Sequence, residues 1–374
     1  MSGVAGSERY LQNIVPSLKA QGVDISFLVI QHPNNASKNK DFIDDLRKKN
    51  ITVHILDTYF LISPIIIFQL IRLIKNKKFN ILQSNLIYSD FLAGIVKIFL
   101  PKLLLISVKH GYDEIFQTKF GLNHKKLKLS LFSFITKWSA KRANRVICIS
   151  KSLYSFLYNG ELVNKEKLVT IPYGFNFSNM QLETVKEKVR YGNPQIIITG
   201  RLEAVKQHDI FLRTIPELLN IFPDLSVVMV GDGSLKGYLK KFAEELNISK
   251  HIQWLGFQKN VHAYIDASDV MVIPSSAEGF GLVVLESWFH AKPVIAFDVP
   301  AINEIIDDGI DGILVSPFSQ SKLLAAIIKI LKDKNLSKQY GLSGQAKQSK
   351  LYDIETMTNR TMTVLNELHF NESK

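Results

Sequence analysis

The chain has 374 residues, 46% of them hydrophobic and 21% charged, which excludes a largely disordered protein and exceeds one ordinary core, fitting two domains of about 150 to 200 residues. A formal net charge of +12 accompanies a single cysteine, Cys148. One thiol rules out an intrachain disulfide framework and a cysteine-based zinc site, and points to a reducing compartment, the cytosol.

The opening, MSGVAGSERYLQNI, lacks the basic-then-apolar pattern of a signal segment. No stretch reaches the roughly 18 to 20 uninterrupted apolar residues of a membrane span. The nearest approach, Tyr59 to Ile74, is broken by Pro64, Gln69 and Arg72; it reads as a buried helix, with an interfacial segment as the alternative.

Short apolar, β-branched runs alternate with longer helix-like segments throughout, the pattern of parallel sheets covered by helices on both faces. In chain order the first half predicts strands at Ile25–Ile30, Ile51–Leu56, Ile81–Ser84, Leu103–Lys109, Val146–Ser150 and Leu168–Pro172. The second predicts Ile196–Gly200, Ser226–Gly231, Ile252–Gly256, Val270–Ser275, Val294–Asp298 and Gly312–Ser316. Two similar sets imply two doubly wound domains, 1–175 and 195–345, joined by the polar, strand-poor segment 176–194. A tail, 346–374, includes an amphipathic helix from about Asp353 to Leu368 that is expected to pack back on the first domain.

The positive charge is unevenly placed. Residues 1–180 carry 25 Lys/Arg against 11 Asp/Glu, and residues 181–374 carry 21 against 23. Between Ile115 and Gly160 there is no acidic residue, while nine basic ones, from Lys119 to Lys151, are interleaved with Phe and Trp138. Such a stretch suits anionic lipid headgroups or phosphorylated acceptors, with a solvated basic face as the plain alternative. No nucleic-acid-binding motif accompanies it, so nucleic acid is not an expected partner.

Ligands of open α/β sheets bind beyond the carboxyl ends of strands, where helix N-termini point backbone N–H groups at anions. The first strand of the second domain runs into Thr199-Gly200-Arg201-Leu202-Glu203-Ala204-Val205-Lys206, placing two cations where a diphosphate would sit. A later strand leads into Ala277-Glu278-Gly279-Phe280-Gly281-Leu282-Val283-Val284-Leu285-Glu286. Its two glycines permit close backbone approach ahead of a helix, with Glu278 on the loop and Glu286 about one turn inside. An ionised carboxylate in that apolar run needs partners such as sugar or ribose hydroxyls. His110 sits at another carboxyl edge, in Ser107-Val108-Lys109-His110-Gly111-Tyr112, expected opposite the Glu278 loop. No Asp-x-Asp pair, His-Glu-x-x-His or cysteine cluster suggests a catalytic metal. Gly231-Asp232-Gly233 continues without the spacing of a dinucleotide-binding turn.

In this order the motifs resemble family 4 of the retaining glycosyltransferases, from Ala5 to about Leu368. The most specific is Glu278 to Glu286, similar to the family's E-x7-E box. Gly200-Arg201-Leu202 with Lys206, Val230-Gly231-Asp232-Gly233, Ile171-Pro172-Tyr173-Gly174 and Asp298-Val299-Pro300 followed by Glu304 fall around it. The resemblance implies an α/β chain of GT-B fold: two Rossmann-like doubly wound domains facing a central cleft. It implies that Arg201 and Lys206 hold the donor diphosphate and that Glu286 binds the ribose. Glu278 would contact the transferred sugar, with the backbone of Gly279, Phe280, Gly281, Leu282 and Val283 near the phosphate and sugar. His110 matches a histidine beside the reaction centre, and Gly6 of Ala5-Gly6-Ser7-Glu8-Arg9 would approach the phosphates. Expected partners are a UDP-, GDP- or ADP-sugar and a glycan or lipid-linked acceptor, with no cofactor and no metal. A cytoplasmic protein, peripheral at the inner face of the plasma membrane, is the expected setting.

Three departures stand out. Family members open with an apolar strand before the glycine loop, and here only Met1 to Val4 precede it, so the first strand is expected to be missing, leaving exposed strand edges. A misplaced start, a truncated product and a genuine variant all fit. Ala5 replaces the family's usual glycine, and Gln83 and Asn85 stand where histidines are common. Two rival readings are an inactive nucleotide-binding or scaffold protein and a nucleotide-sugar epimerase.

Overall fold

In the computed structural model, residues 6–60, 63–111, 131–175, 189–258 and 260–372 are described. The chain forms two compact units, Met1–Asn176 together with Asp353–Lys374, and Phe177–Tyr352. None of the described helices is long and apolar enough to cross a membrane.

The first unit opens on α1 (Gly6–Ala20) and continues β1 (Ser26–Gln31), α2 (Ala36–Lys48), β2 (Thr52–Asp57), α3 (Pro64–Lys77), β3 (Ile81–Ser84), α4 (Ile87–Phe99) and β4 (Leu104–Lys109). After residues 112–130, α5 (Leu131–Arg142), β5 (Arg145–Cys148), α6 (Lys151–Asn159) and β6 (Leu168–Thr170) follow. Local chemistry sets the helix starts. Ser63 accepts a hydrogen bond from the Ile66 amide at 3.3 Å with Pro64 opening α3, and Ser150 accepts one from the Leu153 amide at 3.2 Å to open α6. The strands pair in parallel but make two sheets, β1-β2 and β3-β4-β5-β6. Both share one helical cover: Leu28 and Ile30 of β1 and Leu82 of β3 pack against the Ile66, Leu70, Ile74, Leu92 and Val96 cluster of α3 and α4. Among the described residues no strand lies between β1 and β3, so each presents one unpaired edge.

Contrary to expectation, the helix within Tyr59 to Ile74 is not wholly buried: Ile66, Leu70 and Ile74 face the core, whereas Ile65 and Phe68 are exposed. Its apolar residues run all round, so periodicity alone did not separate the two faces.

The second unit has β7 (Gln195–Thr199), α7 (His208–Leu212), α8 (Ile215–Ile221), β8 (Ser226–Val230), α9 (Lys236–Glu245), β9 (Ile252–Gly256), α10 (His262–Asp266) and β10 (Val270–Ile273). It continues α11 (Leu282–Phe289), β11 (Val294–Phe297), α12 (Ile302–Ile305), β12 (Ile313–Val315), α13 (Gln320–Lys332) and α14 (Lys334–Leu351). All six strands are parallel in the order β12-β11-β10-β7-β8-β9. β8, β10 and β11 are buried along their whole length, which explains their unbroken Val, Ile and Met runs. The order reverses between β7 and β10, so the loops leaving these strands flank the switch point.

The last helix, α15 (Ile354–Glu372), returns to the first unit and packs on α1. Residues 346–351 belong to α14 instead.

Candidate functional site

Close backbone packing shapes the carboxyl edge of the second unit. Gly231 follows β8 at φ +141°, and a Cβ there would stand 1.8 Å from the Gly200 carbonyl oxygen, so this position requires glycine. The Leu202 amide donates to the Asp232 carbonyl at 3.0 Å and the Leu235 amide to the Leu202 carbonyl at 2.9 Å, binding the loops after β7 and β8 together. The Ser276 amide donates to the Val205 carbonyl at 2.8 Å and ties in the loop after β10.

That lacing brings two of the expected site residues into contact across the switch point. Lys206, at the end of the turn after β7, lies 2.6 Å from Glu278 Oε1 on the loop after β10. Both side chains are largely buried, at 18% and 12% exposure. An ammonium has three donors, so Lys206 can keep Glu278 and still offer N–H bonds to a second anion. Arg201 is exposed on the same turn. Gly281, at φ +106°, is the residue before α11, and the first-turn amides of a helix have no partner within it. Leu282 and Val283 supply two of these, beside the Glu278 loop. Phe280 is buried, its ring centroid 5.9 Å from that of Tyr352, which fixes the loop around Gly279. Glu286 is buried one turn inside α11. Beneath the turn after β7, Thr199 Oγ1 and His208 Nδ1 are buried without hydrogen-bond partners in this structure. Burial first and the Lys206 charge second push the His208 pKa down to about 4.

The other expected residues, His110 and Gly6, belong to the first unit. His110 leaves β4 and bonds the Tyr173 hydroxyl through Nδ1 and Asn85 Oδ1 through Nε2, the latter at 3.3 Å. The Tyr10 ring sits edge-on to it at 4.9 Å between centroids. Burial, and secondarily the Lys109 charge, lower its pKa to about 3, so the imidazole is neutral at physiological pH. The end of β4 is fixed from below: buried Asp90 accepts from Ser84 Oγ at 2.5 Å and Ser107 Oγ at 2.7 Å, and pairs with Lys109. Gly6 is the first residue of α1; Ala5 lies outside the described residues. Of the basic stretch, Lys119, Lys125, Lys126 and Lys128 also lie outside them. Lys137, Lys141 and Lys151 are exposed on α5 and α6, and Arg142 stacks 3.8 Å above Trp138.

Sequence reasoning missed Tyr10, Asn85 and Tyr173 as the setting of His110, and the pairing of Lys206 with Glu278. The partners are 63, 25 and 72 residues apart for Tyr173–His110, Asn85–His110 and Lys206–Glu278. A usable signal existed for Tyr173, which stands within the Ile171-Pro172-Tyr173-Gly174 motif.

Comparisons with known proteins follow the same division of the chain. Residues 4–179 match the family model described as Glycosyltransferase Family 4, and residues 180–347 match Glycosyl transferases group 1. An uncharacterized glycosyltransferase of Methanocaldococcus jannaschii is 24% identical, covering 91% of this chain and 89% of its own length. The UDP-Gal:alpha-D-GlcNAc-diphosphoundecaprenol alpha-1,3-galactosyltransferase of Escherichia coli is 24% identical over 72% of this chain and 70% of its own. Among solved structures, Anabaena HepE in complex with UDP and glucose superposes with a TM-score of 0.81 at 18% identity, covering 98% of this chain and 97% of that one.

Proposed function

Since the chain belongs to family 4 of the glycosyltransferases and has the GT-B fold, we propose that it moves a hexose or related sugar from a nucleotide diphosphate to a glycan or lipid-linked acceptor, with retention of configuration, in surface polysaccharide assembly. The observation that carries this reading is the Lys206–Glu278 pair at the switch point of the second unit. It sets a fixed cation where a diphosphate departs, beside a carboxylate able to accept from sugar hydroxyls. A UDP-sugar is the favoured donor, because the Escherichia coli relative is named for UDP-Gal and the Anabaena structure holds UDP and glucose.

In the proposed reaction the acceptor hydroxyl oxygen bonds the anomeric carbon as the bond from that carbon to the phosphate oxygen breaks. The electron pair leaves with the diphosphate, which also takes the acceptor's proton. Arg201 and Lys206 offset the developing charge, aided by the α11 amides of Leu282 and Val283. Glu286 accepts from the ribose and Glu278 from the sugar, while His110, kept neutral by burial, is held within the first unit by Tyr173 and Asn85. No protein-held metal is assigned, since the sequence has no Asp-x-Asp pair. The basic first unit meets an anionic membrane from the cytoplasmic side.

Calorimetric titration of the purified chain with UDP, GDP and ADP, repeated on Lys206→Ala, tests the donor assignment: selective UDP binding lost in the variant is expected. Product analysis then separates transfer from its rivals. A lengthened glycan supports the proposal, a free epimer indicates epimerisation, and nucleotide binding without turnover indicates a scaffold, the outcome that the divided first sheet would favour.

A further inference from the structure

Among the described residues of the first unit, a set of large apolar side chains lies exposed to solvent. Tyr59, Phe60, Ile65 and Phe68 expose 73%, 74%, 69% and 64% of their surface, and Tyr88 exposes 57%. Singly exposed apolar residues are ordinary, whereas a contiguous group marks an interaction surface. These residues share one end of the unit. Through Ile66, Leu70 and Ile74, α3 packs beside Leu82 of β3 and ends just before that strand begins. Its first turn therefore lies at the strand's carboxyl edge, where β3 delivers Tyr88 and the parallel β4 delivers His110. Tyr59 and Phe60 are tied to their neighbours, the Phe60 amide donating to Thr58 Oγ1 at 3.1 Å and the Tyr59 ring standing edge-on to His32 at 5.2 Å.

Charge identifies the partner. The exposed residues Ile65, Phe68, Arg72 and Lys75 follow helical spacing along α3, so one stripe passes from apolar at its first turn to cationic at its last. At ~1.5 Å per residue, Arg72 stands roughly 10 Å behind Ile65, the depth to which interfacial helices bury their apolar faces, about 5–10 Å. No acidic residue occurs between Asp57 and Asp90, and Arg72, Lys75, Lys77 and Lys78 are the charges present. An apolar tip backed by a tier of cations fits a bilayer surface with anionic headgroups. A symmetric contact with a second copy would bring this cationic tier against itself.

We propose that this rim docks the first unit on an anionic membrane, with Tyr59, Phe60, Ile65 and Phe68 in the headgroup and acyl boundary, Arg72 at the phosphates, and Lys75 about one turn behind it, still within the reach of the surface potential. The end of the sheet that carries His110 then faces the lipid surface, and the acceptor is a lipid-anchored one arriving in the membrane plane. The inference rests on the lipid-linked acceptor reading above and assigns its membrane contact to α3 together with Tyr59 and Phe60, not to α5.

The test is sedimentation of the full chain with phosphatidylcholine vesicles, with and without phosphatidylglycerol, alongside UDP titration of each variant. Binding to the anionic vesicles is expected, falling roughly fivefold for each cation removed, so at least about 25-fold for Arg72→Glu/Lys75→Glu. Phe60→Ser/Phe68→Ser should weaken it at least tenfold, and Phe60→Trp should shift its emission to the blue on vesicle addition. UDP affinity should be unchanged in all of them, which also shows that the variants are folded. Vesicle binding that survives these changes, or that is lost in Lys137→Glu/Lys141→Glu instead, overturns the proposal. So does a concentration-dependent dimer abolished by Phe60→Ser/Phe68→Ser without any vesicle binding. Failure of the wild-type chain to bind any nucleotide while it still binds vesicles by this rim would refute the donor reading and leave the docking surface standing.

Discussion

Replacing Lys206 with alanine separates a structural ion pair from a functional one. The pair with Glu278 spans the switch point at 2.6 Å with both side chains mostly out of solvent, so the alanine variant leaves a largely buried carboxylate without its cation, at a cost of about 1–3 kcal/mol. In a unit of this size that lowers Tm by about 2–4 °C per kcal/mol, hence about 4–8 °C for 2 kcal/mol. If Lys206 also balances charge on the departing diphosphate, kcat falls by roughly 10²–10³ as well, the usual effect of losing one preorganised group aimed at developing charge. Steady-state kinetics with a UDP-sugar should therefore show a loss in kcat, not merely a rise in KM. Lys206→Met/Glu278→Leu distinguishes the two contributions, since apolar replacement of a buried pair is often neutral in stability: Tm should return while activity stays lost. A Lys206→Ala enzyme within tenfold of wild-type kcat/KM, or a double variant that recovers turnover, would refute the reasoning.

Gly231→Ala should abolish nucleotide binding and destabilise the second unit, because its Cβ would overlap the Gly200 carbonyl at a positive φ; an unchanged melting curve would contradict this. His110 and His208 have folded pKa values lowered to about 3 and about 4, so between those values and about 6.5 the unfolded chain binds more protons. Their contribution is intact above pH 6.5 and is lost on acidification, at no more than about 1.4 kcal/mol per pH unit for each. The urea midpoint should fall from pH 7 to pH 5, less so in His110→Gln/His208→Gln, and a flat wild-type profile would count against it. An apolar six-residue strand fused ahead of Gly6 should enter between β1 and β3, raising Tm and slowing aggregation. Equal stability with and without the fusion would show that the two edges are not competent to pair.

The twelve strands of the described residues were legible from sequence to within two residues at either end, and β8, β10 and β11 most plainly, because parallel strands buried on both faces read as short unbroken apolar runs. Val270–Ile273 is such a run, β10 being buried along its length, and the helix after it was marked by Gly279 and Gly281. The outward face of α3 was not legible, since Ile65 and Phe68 are as apolar as the core residues Ile66 and Leu70, and burial depends on neighbours that pattern does not name. For the same reason the ring of Tyr10, Asn85 and Tyr173 around His110 escaped notice: each lies on a different element, and only the fold brings them together. Glycine spacing was readable as close approach, but not which carbonyl Gly231 approaches.

Gly174 lies so close to the chain near α15 that a Cβ there would stand 2.1 Å from the Asp353 carbonyl oxygen, and its amide bonds Met357 Sδ at 3.2 Å. Next to it Phe175 and Asp353 form a single β-bridge. These contacts hold side by side, inside the first unit, the two places where the polypeptide leaves for the second unit and comes back. The arrangement is a mechanical shunt. Tension between α1 and α15 would run through the first unit alone, and the second would carry no load until the Phe175–Asp353 bridge gave way. In a pulling experiment from the two termini, the first rupture should therefore release first-unit contour length, with the second unit still folded on its closed loop.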